Sequence, residues 1–514
     1  MQRLSAQLEL RCLAWQRTAC VVALVAWSWA GISPAAAEAP RHEQATAVLG
    51  MEDARHLLAR TGFGPTLAEV QAHAGLTREA AIRRVLSGGE EMPEAAVTPP
   101  PDWVESPILP FRAFREASAE ERLVHVRTMN AQTRELRGWW IREMFDSPWP
   151  LRERMTLFWH NHFATSQQKV RYPQLVHRQN ELFRAHALGR FDTLLRAVAR
   201  DPAMIIYLDS ATNRRGRPNE NFAREVMELF TLGEGHYSEA DIREAARAFT
   251  GWSVDPNTGE FINRITVHDA GTKTVLGRSG NFDGDGVLDI LLAQPRSAEF
   301  IVEKLWREFV SPEPEREAVV RIAAAFRDSG HDIRTALRGL LQSEAFWRAD
   351  NRASLVKSPA EFVVGALRQL ELPGANPQTL AQVMAGLGQN LFAPPNVKGW
   401  PGGEAWINGS TLLARKQFVE RLFRTEEMLP AMMITPAATA EGGQAQMQRP
   451  AAAPRAQPLP AFNSRQWFKS FGDDRDPAIE TFVLATPPAL PVPAELRGRE
   501  WLRQLALDPA FQLK

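Results

Sequence analysis

Apolar residues recur at three- and four-residue spacing along most of the chain from Met51 to about Arg424, as in Leu151, Met155, Phe158 and Trp159, or Phe222, Val226, Leu229 and Phe230. That period predicts helices with one buried stripe. Their starts carry cap residues: Thr66 before Leu67, Thr77 before Arg78, Ser238 with Glu239 and Asp241 following, and Ser358 with Pro359 in the first turn and Glu361 at the third position. Only Phe261 to Leu276 reads as strand, in short runs split by Gly and Asp. The fold expected is therefore mainly α, a single large multi-helix domain with a small inserted β-hairpin or meander near 254–277.

Two stretches break the helical pattern. Residues 90–110 are Pro-rich and predict an irregular loop. Residues 430–460 are dominated by Ala, Pro, Gln, Met and Gly and hold no periodic apolar face, which predicts a linker or insertion. The helical core would span 38–429. In the C-terminal segment 461–514, Leu496, Trp501, Leu502 and Leu505 restore helical spacing, so a last helix is expected to return to the core.

The N-terminus changes the compartment. Arg3, Arg11 and Arg17 precede an apolar run from Val21 to Ile32 that ends near Ala35-Ala36-Ala37. This is the layout of a secretory signal peptide over 1–37, and the run falls short of the roughly 20 residues a membrane span needs. A periplasmic or secreted chain with no stable membrane span after processing is expected. Cleavage would remove Cys12 and Cys20, both of the cysteines, and with them any disulfide or thiolate chemistry. It would also take three of 60 basic and one of 60 acidic residues, leaving 57 against 59 and a net charge of about −2. Without a basic tract, nucleic acid is not an expected partner.

No GxSxG, Walker, strand-borne GxGxxG or HExxH motif is present, so chemistry has to be sought in clusters. Trp159-His160-Asn161-His162-Phe163 offers two imidazoles that face one metal only if the helix ends or bends, because residues two apart diverge on a regular helix. A hydrogen-bonded core role accounts for them too. On a continuous helix from Asn219 to Gly233, Asn221, Glu225 and Glu228 share a flank at the apolar border. They suit metal binding or proton transfer, or ion pairing with arginines such as Arg243 or Arg247. His236 in a glycine-rich turn, and His268-Asp269 near Lys273, are candidate catalytic groups or helix-end and loop struts. His160, His162, Glu225 and Glu228 form the candidate set for a divalent metal, whose identity stays open.

Asn281 to Asp289 matches the first nine positions of a calcium loop, with Leu292 where a Glu belongs; a helix cap explains the same residues. Pro394 to Asn408, with Lys398, Trp400 and Trp406, is a rigid loop suited to shaping substrate access alongside Asn221, or to packing on the core. The best functional fit is a metal-assisted hydrolase with a composite His/carboxylate pocket, acting on an envelope or extracellular polymer. The rival is a non-catalytic envelope module that binds or escorts a partner enzyme.

Arg60 to Gly64, Trp159 to Phe163, Asn219 to Gly233, Ala246 to Trp252, Lys273 to Gly277, Lys357-Ser358-Pro359 and Pro394 to Gly402 together closely resemble the bacterial domain-of-unknown-function 1800 family. The resemblance covers nearly the whole mature chain, with 430–460 its poorest part. It implies a helical, exported protein, often encoded beside a sulfatase-like partner, and no established activity or catalytic role.

Overall fold

Helix starts follow the cap chemistry. The side chains of Thr66, Ser118, Ser238 and Ser358 accept a backbone N–H three residues on, and Glu69, Glu121, Asp241 and Glu361 return the bond to the cap N–H. Two donors that a helix end leaves orphaned are thus satisfied at each start. Thr77 accepts from Ala80 N at 3.2 Å. The computed structural model describes residues 47–87, 93–424 and 462–514; the expected signal peptide, with Cys12 and Cys20, and the 430–460 segment lie outside the described residues. The described residues from Val48 onward fold as one mainly α unit around a continuous apolar core. Among the described residues no helix is long and apolar enough to cross a membrane.

At the centre lies the helix Pro150–His162, in which every residue from Leu151 to His160 is buried. A helix buried all round has no wet face for its charges, so each must be matched inside. Arg184 grips Glu153 at 2.7 and 2.9 Å, and Arg152 reaches Glu143 at 3.3 Å, all four side chains being at most 1% exposed. Glu143 also accepts Val97 N at 3.1 Å and Thr98 N at 2.7 Å, and Trp139 Nε1 donates to Thr98 O at 2.9 Å. The described part of the Pro-rich stretch is therefore irregular apart from one short helical turn at Asp102–Glu105, yet tied to the core by a buried carboxylate.

Arg154, on the same helix, pairs with Glu361 at 2.7 Å, and Glu361 also holds the ammonium of Lys514. Burial pushes the Glu361 carboxyl up, but Arg154 and Lys514 outweigh it and hold it at about 2. The last helix, Gly498–Leu507, buries Trp501, Leu502 and Leu505. Beyond it the chain is laced to the start of the Pro359–Gln369 helix through Lys357 N to Gln512 O at 2.8 Å and Lys514 N to Leu355 O at 2.9 Å.

The inserted β structure is two hairpins. β1 (Trp252–Val254) pairs antiparallel with β2 (Phe261–Asn263), and β3 (Lys273–Val275) with β4 (Arg278–Gly280). Between them Ile265–Val267 closes into a single tight helical turn, which ends the first ladder. Leu276 and Gly277 both take positive φ, 48° and 76°, as the two-residue β3–β4 turn requires. Asp241 stabilises the strained Leu276 by accepting its N–H at 2.7 Å.

Candidate functional site

His160 and His162 leave the end of the central helix in different directions. The His160 ring lies among Trp140, Phe392 and Trp400, with centroids 5.4 to 5.6 Å away. Its Nε2 has no hydrogen-bond partner among the described residues. Burial pushes it down to about 3, so it is a neutral ring in an aromatic cage.

His162 is neutral too, driven well below its ordinary value by burial and then by the Lys304 charge. Its Nε2 lies 3.2 Å from Phe230 O and its Nδ1 3.1 Å from Lys304 Nζ. A carbonyl only accepts and an ammonium only donates, so Nε2 carries the proton and Nδ1 is already taken. Lys304, which sequence reasoning missed, also donates to Leu229 O at 3.3 Å, and burial lowers it to about 8. Its signal was a lysine bordering the Ile301, Val302 and Leu305 stripe of a helix.

Between them Asn161 Oδ1 accepts Trp400 N at 2.7 Å. Gly399, at φ +83°, comes so close that a Cβ there would sit 2.3 Å from Asn161 Oδ1. The Trp159–Phe163 segment therefore fastens the 394–402 loop, and that loop's glycine is required by close approach. Trp400 and Trp406 are 4% and 6% exposed, so neither indole is an open platform for substrate.

The carboxylate segment is not one α-helix. Asn221–Glu225 is α, and Val226–Thr231 widens to a π-turn with Leu232 N bonded to Met227 O at 2.8 Å. The Thr231 hydroxyl donates to Val226 O at 2.5 Å, which adds a side-chain bond across the widened turn. The flank drawn at 100° per residue is lost at that point. Asn221 ends exposed, while Glu225 and Glu228 are half-buried. Glu228 Oε2 accepts the Tyr237 hydroxyl at 2.8 Å, and Glu225 has no hydrogen-bond or ion-pair partner among the described residues. Burial raises the Glu225 carboxyl, the Glu228 charge raises it further, and Arg224 and Lys398 pull the other way. Tyr207 borders the pair, its hydroxyl raised by burial and by Glu225. Lys398 is exposed and pairs with Glu234 at 3.0 Å. Tyr207 and Glu234 were not legible as partners, because they enter from separate turns.

His160, His162, Glu225 and Glu228 are not brought together as a ligand set: among the described residues, no group of three or more His, Asp or Glu is arranged to hold a metal ion. The physical reason is that both rings turn into the core, one to aromatics and one to a backbone carbonyl and a lysine. Asp269 is gripped by Arg247 at 2.8 and 3.1 Å and held at about 2. His268 Nδ1 lies 2.9 Å from Thr250 O, and the buried Lys273 ammonium caps Asp269 O and Gly271 O at 2.5 and 2.9 Å. These residues brace the loop before β3. His236 is exposed. In the calcium-like segment Asp283 caps a helix by accepting Gly286 N at 3.0 Å, and Asp285 pairs with Arg196 at 3.6 Å and with Arg200. A cap and ion pairs account for it.

A family model described as "Protein of unknown function (DUF1800)" matches residues 56–513. No curated protein and no solved structure matches the chain.

Proposed function

Because the chain belongs to the DUF1800 family of proteins of unknown function, its activity has to be read from its own side chains, and we propose that it is an exported hydrolase of an envelope or extracellular polymer, with Glu225 and Glu228 as its proton-transferring pair. The observation that carries this reading is Glu225, half-buried, raised and ion-paired to no arginine among the described residues. A carboxylate serving as a strut has a cation to grip, as Asp269 has Arg247. Glu225 suits a general acid, since a raised carboxyl holds its proton nearer neutral pH. Glu228, steadied by Tyr237, suits the base that takes a proton from water. The π-turn that presents them supports the same reading, because such widenings recur at functional sites. His160 and Asn161 position the 394–402 loop from behind, and a divalent metal would rest on the two carboxylates without the histidines.

The second reading is a non-catalytic envelope module that binds or escorts a partner enzyme such as a sulfatase-like protein. It is favoured by His160, His162 and Asp269, all engaged internally. Turnover separates the two. Purified protein is incubated with peptidoglycan and with neutral and acidic polysaccharides, and new reducing ends or released peptides are measured. The expected result is release by the wild type and a fall of about 10²-fold or more in Glu225→Gln, with Tm unchanged. Full activity in Glu225→Gln sinks the acid–base pair, and no release from any polymer leaves the module in front.

A further inference from the structure

A cleft of about 840 Å³ opens beside the first hairpin. One wall is the turn Arg214 to Arg217, closed by Arg217 N to Arg214 O at 2.9 Å, with Gly216 at φ +81°. The other carries Arg264, next to β2. Arg214, Arg217 and Arg264 are all exposed, and none has a side-chain hydrogen bond or ion pair among the described residues. Against these three guanidiniums the lining holds one carboxylate, Glu220, and that accepts from Arg224 at 3.3 Å.

The walls are fixed. Arg215 N donates to Val267 O at 2.8 Å and Gly251 N to Asn213 O at 3.0 Å, while Arg264 N donates to Gly251 O at 2.8 Å. A Cβ on Gly251, at φ +93°, would lie 2.8 Å from Arg264 O, so the two walls are clamped through a glycine. The buried Asn213 amide completes the brace, donating to Ala246 O at 2.8 Å and accepting Asn219 N at 2.9 Å. Like charges held together on rigid backbone repel one another, a cost that a bound anion removes.

We propose that this cleft binds an oxyanion-bearing oligosaccharide, its sulfate or carboxylate groups taken by Arg214, Arg217 and Arg264. Guanidiniums recognise such groups with paired N–H donors. The volume exceeds what a single ion fills and suits a ligand of several rings. Nucleic acid fits less well, since Trp252, the aromatic ring in the lining, is buried and unable to stack on bases. That the ligand is a glycan rests on the exported reading above; the site itself does not depend on Glu225.

Calorimetric titration of the full chain tests it with four probes of equal length: a sulfated hexasaccharide, a hexagalacturonate, a neutral hexaose and a six-nucleotide single strand of DNA. The expected result is saturable binding of the sulfated or the carboxylated probe, weakened by salt, with no binding of the neutral one. Which acidic probe binds more tightly names the group recognised, and equal binding means that charge alone is read. Arg214→Ala/Arg217→Ala and Arg264→Ala should each weaken binding at least fivefold without changing Tm, since these side chains are exposed and unpartnered. Arg83→Ala, removing an exposed arginine paired elsewhere with Glu79, and Glu225→Gln should bind like wild type. Absence of binding by both acidic probes, equal loss in Arg83→Ala, or DNA binding as tight as the glycans would overturn the proposal. Loss of turnover in Glu225→Gln with intact binding of the acidic probes separates this site from the proposed catalytic pair.

Discussion

Mild acid reads the buried histidines directly. His160 is held at about 3 in the folded chain and titrates near 6.5 when exposed. Its folded value lies below its unfolded value, so the unfolded chain binds the extra proton. Stability is therefore complete above about pH 6.5 and is lost as the pH falls toward 3. From pH 7 to 5.5 the unfolded imidazole goes from mostly neutral to mostly charged while the folded one stays neutral, which removes about 1.3 kcal/mol. His162 moves the same way, through burial and then Lys304. The assay is urea unfolding of wild type and His160→Gln at both pH values. The variant should lose about 1 kcal/mol less than wild type over this interval, with the same m-value. His56 and His177, also lowered by burial, and Asp201, raised by burial to about 7 and so of opposite sign, act equally in both proteins and cancel. Identical losses in the two proteins would falsify the neutral, dry His160, and with it the strut role assigned to the Trp159–Phe163 segment.

Glu153→Ala should cost about 3–5 kcal/mol by urea unfolding, because it strips the fully buried Arg184 of its two-pronged partner; Glu79→Ala, from a solvent-exposed pair, should cost under about 1 kcal/mol, and similar losses in both would refute the weight given to burial. Gly399→Ala forces a methyl into Asn161 and should lower Tm or loosen the 394–402 loop to protease, whereas Gly402→Ala, with nothing within 4 Å of its Cβ, should be milder despite its positive φ. Intact mass of exported protein should begin at Glu38, and full-length chain retained in the membrane fraction would contradict the cleavage site.

The mainly α class, the helix starts at Thr66, Ser238 and Ser358, and the presence of β structure near Phe261 were legible in the sequence, because caps and apolar spacing act within a few residues. So was the importance of Trp159–Phe163, Asn219–Gly233 and Pro394–Asn408, three segments in which polar groups interrupt apolar faces. What each polar group does was decided by tertiary structure. Whether His162 binds a cation or a carbonyl depends on Phe230 and Lys304, 68 and 142 residues away. Asp269 became a strut through Arg247, and Glu225 formed no ion pair among the described residues although Arg243 and Arg247 follow it in sequence. The π-turn after Glu225 escaped the 100° projection, since local pattern cannot reveal a hydrogen-bond register shifted by one residue. The arginine cleft was equally hidden: Arg214 and Arg217 are ordinary turn residues until Gly251 clamps the segment carrying Arg264 across from them. Local interactions determine where helices begin and which segments are unusual. Desolvation, pairing and convergence arise only when distant segments exclude water together.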